Sequence, residues 1–173
     1  MPKIRGIFTK LIYNSIIDII EENLSLSNIG ARKKKSPRDH LFVLYSVQHE
    51  VLNGKDAADI DLVFYDLAQA FDSLWVPHML VDLFENKVET NLNIIHEMSK
   101  KATISIKTPV GVSDSKEINE TIMQGETISS IFCTSSMDKV LKDCPLPPYK
   151  YRNEVDIPKL GFVDDTLEKK LNL

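Results

Sequence analysis

Residues 10–24 place Leu11, Ile12, Ile16, Ile19 and Ile20 at intervals of three and four, with Asp18, Glu21 and Glu22 on the opposite side. That period predicts an amphipathic helix. A second helix is predicted over residues 40–53, capped by Asp39, carrying Leu41, Leu44, Tyr45, Val51 and Leu52 on one face and stopped by Gly54. Ile60, Leu62, Val63, Phe64 and Tyr65, interrupted only by Asp61, then read like the start of a buried strand. Pro77 suits the first turn of a helix over residues 77–86, with Leu80, Leu83 and Phe84 inward. Thr90 is expected to cap a short helix that follows. Ile104 and Ile106 alternate with polar residues, Thr-Pro-Val-Gly turns the chain at 108–111, and Ile118 and Ile122 resume the alternation, which is a hairpin pattern. Helical character returns from Thr127 until Cys-Pro-Leu-Pro-Pro breaks it, and short strands are predicted from Tyr149 to the Asp-Asp pair. Helices, strand, helices, hairpin, helix and strands in that order make an α+β fold, an antiparallel sheet flanked by helices.

At 173 residues the chain is long enough for one domain with its own core. No apolar run approaches the roughly 20 residues that span a bilayer, and Lys3, Arg5 and Lys10 interrupt any signal-peptide core at the N-terminus. Cys133 and Cys144 lie outside metal-ligand spacing. The expectation is an intracellular protein of nucleus or cytoplasm, neither secreted nor membrane-bound. A net charge of −4 argues against gripping nucleic acid by bulk charge. The basic residues are uneven, however: Arg32, Lys33, Lys34, Lys35 and Arg38 crowd one stretch. Such a run is either a solvated loop or a patch that meets phosphates.

The carboxylates change the picture further. Asp66 ends the first apolar strand, and Asp164 and Asp165 stand side by side after Leu160, Phe162 and Val163. Adjacent like charges repel, so the pair is either a solvated turn or a set of oxygens offered to a divalent cation. If the two strands are neighbours in the sheet, the carboxylates converge, and hard cations, Mg²⁺ first, are the occupants such oxygens select.

Three stretches then occur in a telling order. Val-Phe-Tyr-Asp-Leu-Ala-Gln-Ala-Phe-Asp-Ser around Asp66 resembles the first palm motif of reverse transcriptases; Gln124-Gly125 with Ser129 resembles the second; Gly-Phe-Val-Asp-Asp resembles the third. Upstream, Asn-Ile-Gly-Ala-Arg-Lys-Lys-Lys is similar to a fingers segment, and residues 107–125 resemble the hairpin leading into the second motif of non-LTR retrotransposon enzymes. The resemblance implies a right-hand polymerase, with residues 1–58 as partial fingers and 59–173 as palm, residues 76–122 being a helical and hairpin insertion between the first two motifs. It implies that Asp66, Asp164 and Asp165 are catalytic and hold two Mg²⁺ ions, or Mn²⁺, with the Leu67 backbone carbonyl as a further ligand. Arg32, Phe71, Gln124 and Gly125 would meet the incoming dNTP, Phe71 as an aromatic gate against a ribose 2′-hydroxyl. Lys33, Lys34, Lys35, Arg38 and Ser129 would meet template or primer.

The implied reaction is template-directed transfer of a nucleotide from a dNTP to a primer 3′-hydroxyl, with an RNA template and a DNA or RNA primer as partners. Ser130 stands where the family usually has proline, and the chain stops soon after the Asp-Asp pair. The expectation is therefore a truncated fragment that lacks the thumb, and any endonuclease or other element-encoded domain, and whose catalysis is impaired. The alternative is a non-catalytic remnant that binds RNA or a protein.

Overall fold

The structure, a computed structural model, describes residues 3–53, 60–100, 102–118, 126–152, 154–157, 159–163 and 165–171. In chain order the helices are α1 (Lys3–Asn23), α2 (Pro37–Asn53), α3 (Ala70–Ser73), α4 (Val76–Glu85), α5 (Leu92–Ser99) and α6 (Ser129–Asp143). The strands are β1 (Ile60–Tyr65), β2 (Ala102–Ile104), β3 (Lys107–Thr108), β4 (Gly111–Val112), β5 (Lys116–Ile118), β6 (Tyr149–Tyr151), β7 (Val155–Ile157), β8 (Leu160–Phe162) and β9 (Asp165–Leu171). All paired strands are antiparallel and form small sheets, so the mixed helix and antiparallel-sheet character read from the pattern holds.

The chain divides into two compact units, each built from two stretches: Met1–Asn23 with Gln69–Ser129, and Leu24–Ala68 with Ser130–Leu173. In the first unit, α1 buries Ile12, Ile16, Ile17 and Ile20, the stripe that a 3.6-residue period aligns. The helix begins at Lys3, earlier than its apolar pattern suggests, and Leu11 of the expected stripe is exposed. Val76, Met79 and Leu83 of α4, Val88, and Ile95 of α5 are buried as well. Phe84, expected inward, is exposed because it lies one position beyond the stripe that Val76, Met79 and Leu83 define. The Asn91 side-chain amide donates to Ser15 Oγ at 2.8 Å and that of Asn23 to the Asn86 carbonyl at 3.0 Å, tying α1 to the ends of α4 and α5. Asn91, in the left-handed region at φ 66°, occupies the N-cap of α5 in place of Thr90. The hairpin expected from Ile104 to Ile122 is present as far as Ile118, with β2 on β5 and β3 on β4 across Pro109 and Val110; Ile122 lies outside the described residues.

In the second unit a three-stranded sheet has the order β1-β9-β8. β1 is thus an outer strand, and Phe64 is 70% and Leu62 40% exposed, which corrects the expectation of a fully buried strand: side chains stand off the sheet face, and the face carrying these two is incompletely covered. Across the sheet, Asn28 bridges to Gly161, so residues 27–29 line the β8 edge; Gly161 N–H donates to the Ser27 carbonyl at 2.7 Å and Ile29 N–H to the Gly161 carbonyl at 3.1 Å. The N-terminus of α2 carries a reciprocal cap. Ser36 N–H donates to Asp39 Oδ2 at 2.8 Å, while the Ser36 hydroxyl oxygen accepts from Arg38 N–H at 3.3 Å. Ser36 is therefore the capping residue, and Asp39 sits in the first turn. On α2 only Val47 is buried, and Leu41, Tyr45 and Leu52 of its expected core face are exposed. Glu50 fastens the helix to the β6–β7 hairpin by accepting from the Tyr149 hydroxyl at 2.7 Å and from Arg152 N–H at 2.6 Å.

Candidate functional site

β1 and β9 run antiparallel with Tyr65 opposite Thr166. Asp66 follows Tyr65 and Asp165 precedes Thr166, so each lies one residue beyond the last paired positions, at the same end of the two strands. β8 and β9 pair with Phe162 opposite Asp165, which leaves two residues, Val163 and Asp164, between those partners. Asp164 itself lies outside the described residues. Its two chain neighbours are described, and both belong to the same sheet end as Asp66. Asp66 is exposed, as is Leu67 beside it. Two carboxyl-bearing positions separated by about a hundred residues of sequence therefore share one end of one sheet.

Val163 holds φ at 60°. A two-residue hairpin turn demands the left-handed region, which a β-branched residue enters at a cost of about 1–3 kcal/mol. The surroundings hold it there. Asn28, fully buried, donates its side-chain amide to the Val163 carbonyl at 2.9 Å. Its Oδ1 accepts from Val163 N–H at 3.1 Å and from Gly30 N–H at 3.0 Å. Gly30 approaches so closely that a Cβ there would stand 2.2 Å from the Val163 nitrogen. The Gly30 carbonyl accepts from the Thr134 hydroxyl of α6 at 2.9 Å. Buried Asp138, also on α6, accepts from Ser25 N–H at 3.1 Å and from the Ser25 hydroxyl, and pairs with Lys142 at 2.8 Å.

The basic stretch leaves this loop. Arg32 turns Nη1 toward the Ser25 carbonyl and donates to the Asn28 carbonyl at 3.1 Å. Lys33, Lys34, Lys35 and Arg38 are exposed. Phe71 is half-buried in α3, which starts after Gln69 at φ 58°. Gln124 and Gly125 lie outside the described residues. Ser129 is buried at the start of α6, and its N–H donates to the Glu126 carbonyl at 3.2 Å. The side chain of Glu126, the residue after Gly125, accepts from Arg5 Nε, and Arg5 Nη2 donates to the Met98 carbonyl at 3.3 Å. Sequence reasoning did not single out Asn28, Thr134, Asp138 or the Arg5–Glu126 pair. For Asn28 the available signal was the Asn-x-Gly spacing; for the others nothing local marks the role.

A cleft of about 410 Å³ lies within the second unit between α2 and the sheet, lined by Pro37, Leu41, Leu44, Phe64, Tyr65 and Asp66 among others. His40 and Thr166 also line it, and His40 Nε2 and Thr166 Oγ1 have no hydrogen-bond partner among the described residues. Burial holds the His40 pKa below its usual value, against a hydrogen bond to the Leu26 backbone and the nearby Asp39, which raise it. Among the described residues no three His, Cys, Asp or Glu side chains gather as a metal-binding group. Asp164 and the side chain of Asp165 are outside that statement.

Three solved structures show what fold this is. The chain matches telomerase from Candida tropicalis truncated from its C-terminal domain with a TM-score of 0.55 and 17% identity, covering 95% of this chain and 33% of that one. The fold is reverse-transcriptase-like. Telomerase from Candida albicans in complex with a TWJ fragment of telomeric RNA matches with a TM-score of 0.58 and 13% identity over 98% of this chain and 30% of that one. The corresponding RNA complex from Candida tropicalis gives 0.56 and 15% over 95% and 28%. The chain thus spans about a third of the length of these telomerases. No family model and no curated protein matches it. Among the described residues no helix is long and apolar enough to cross a membrane.

Proposed function

We propose that this chain is the fingers and palm part of a reverse transcriptase from a non-LTR retrotransposon-like element, and that its site serves transfer of a nucleotide from a dNTP to a primer 3′-hydroxyl. The observation that supports this best is the pairing of Tyr65 with Thr166, which leaves Asp66 and Asp165 each next to the last paired position at one sheet end, within a reverse-transcriptase-like fold.

The donor chemistry fits a hard divalent cation, since carboxylate oxygens at an open, solvent-facing sheet end are ligands of the type Mg²⁺ and Mn²⁺ accept. Asp66, Asp164 and Asp165 would hold the ions, with the Leu67 carbonyl in support. When bound, such ions neutralise phosphate charge and lower the pKa of a coordinated hydroxyl. The chain's own residues do the rest. The paired strands fix the carboxylate-bearing positions at one place. Phe71 excludes a 2′-hydroxyl by its bulk, and Gln124 and Gly125 shape the nucleotide's seat. Lys33, Lys34, Lys35 and Arg38, all exposed, would offer cations to a template or primer backbone, and Arg32 would meet the incoming dNTP.

The test is primer extension on an RNA template with Mg²⁺ or Mn²⁺, comparing the chain with Asp66→Asn and Asp164→Asn. Incorporation abolished by both substitutions supports the reading. Incorporation that survives them sinks it. RNA retained at low salt without incorporation, and released by neutralising Lys33 to Lys35, would leave a binding role in place of a catalytic one.

A further inference from the structure

We infer that Asn28 is a positioning residue that acts on Val163, at the turn out of β8 that leads to the Asp-Asp pair, an inference that rests on the carboxylate-site reading above. The argument starts from what a two-residue turn needs. Val163 is the residue whose backbone angles set the direction in which the chain leaves β8 toward Asp164. At φ 60° it holds a conformation that its own side chain disfavours. The β8–β9 pairing closes the hairpin on either side of it, with Phe162 opposite Asp165.

A further restraint comes from 135 residues away. One side-chain amide satisfies both the N–H and the carbonyl of Val163, at 3.1 and 2.9 Å. A neighbouring strand would make the same two bonds, so Asn28 acts as one more ladder rung placed at the tip, where no strand continues. Its remaining acceptor capacity binds Gly30 N–H, which locks the amide's own orientation. Gly30 then lies against the Val163 backbone, and Thr134 holds Gly30 from α6. The turn is consequently clamped between a loop and a helix, through a fully buried Asn28 and a half-buried Val163. A residue filling the same space without an amide would leave two partly buried backbone groups of Val163 without these bonds. Carboxylates that share cations tolerate misplacement of only about 0.5 Å, so a clamp on the preceding residue acts on affinity for the ion.

The experiment uses Mn²⁺ as probe, read by electron paramagnetic resonance of the free ion, with hydrogen exchange of the Val163 amide and circular dichroism on the same samples. Asn28→Asp keeps the shape but replaces the donating amide with an oxygen that repels the Val163 carbonyl. It is expected to weaken Mn²⁺ binding about 10-fold, in the range seen when groups that orient metal ligands are removed, and to speed Val163 exchange at least about 10-fold, with the helical signal retained. Val163→Gly removes the strain at φ 60°, so in that background Asn28→Asp should cost markedly less Mn²⁺ affinity. Mn²⁺ bound by the unchanged chain, lost in Asp164→Asn and unaltered in Asn28→Asp would overturn the role of Asn28 alone. No Mn²⁺ binding by the unchanged chain would overturn the carboxylate site, and the positioning role with it. If Asn28→Asp does not fold, the unchanged chain still decides: a Val163 amide that exchanges as fast as a free peptide refutes the clamp.

Discussion

Arg5 donates Nε–H to the carboxylate of Glu126 across 121 positions of sequence, with the Glu126 side chain only 6% exposed. The pair joins the first turns of α1 to the residue that follows Gln124 and Gly125. Removing one partner of such a pair leaves the other charge desolvated and unmatched. Glu126→Gln and Arg5→Met are each expected to lower stability by about 3 kcal/mol in urea unfolding. The double variant should lose clearly less than the sum, because the second removal takes away the stranded charge.

Gly30→Ala should be among the most damaging small changes in the chain. Its new methyl would stand 2.2 Å from the Val163 nitrogen and 2.5 Å from Val163 Cγ2, so backbone must shift. A loss of about 2–3 kcal/mol is expected. Gly6→Ala is the contrast. Nothing lies within 4 Å of its Cβ, and alanine favours the helix, so a gain of about 0.5–1 kcal/mol is expected from the same measurement.

Acid should weaken the protein through His40. Its folded pKa lies below the usual 6.5, so above that pH the imidazole is neutral in both states and its contribution is fully present. As pH falls below 6.5 the unfolded chain takes up a proton that the folded chain resists, and stability drops toward the folded pKa, by at most about 1.4 kcal/mol per pH unit. His40→Phe should flatten the part of the stability–pH curve just below 6.5, read by thermal melting at matched ionic strength.

Base should weaken it through Tyr149. Burial first, and then the bond to Glu50, push the Tyr149 phenol up to about 12 from 10.0. The contribution is therefore complete below pH 10 and is lost as pH rises toward 12. Tyr149→Phe should lose stability at neutral pH and should lack the part of the alkaline decline that the unchanged chain shows between those values.

The Ser36 cap gives a modest, local effect. Ser36→Ala removes the oxygen that accepts from Arg38 N–H and is expected to cost about 1 kcal/mol, seen as a lower melting temperature with no change at the β8–β9 hairpin.

What the sequence made legible was periodic. Ile12, Ile16 and Ile20 announced α1, Thr-Pro-Val-Gly announced the β3–β4 turn, and Pro77 announced the start of α4, because each signal lies within a few residues of the structure it forms. The apolar run before Asp66 was equally local and located β1, and the apolar residues before the Asp-Asp pair located β8; β9, the strand that pairs with both, runs on from that pair, beyond the predicted strands. The misreadings have a shared cause. Phe64 and Tyr45 looked like core because they are large and apolar, but burial depends on which neighbours cover a face, and the face of β1 that carries Phe64 is incompletely covered. Asn28 was not singled out because its partner, Val163, is 135 positions away. Glu126 was not singled out for the same reason, its partner Arg5 being 121 positions away.

That separation also sets an order of assembly. Asn28 leaves the ribosome well before Val163, and at about 5–20 residues per second the wait between them is on the order of 10 s. The unit containing α1, α4 and α5 closes with Ser129, so it can form while translation continues. The loop holding Asn28 must meanwhile stay unpaired until the last strands of its own unit emerge. A nascent chain whose emerged part ends between residues 130 and 160 would thus carry one unit complete in sequence and one still waiting for its last strands.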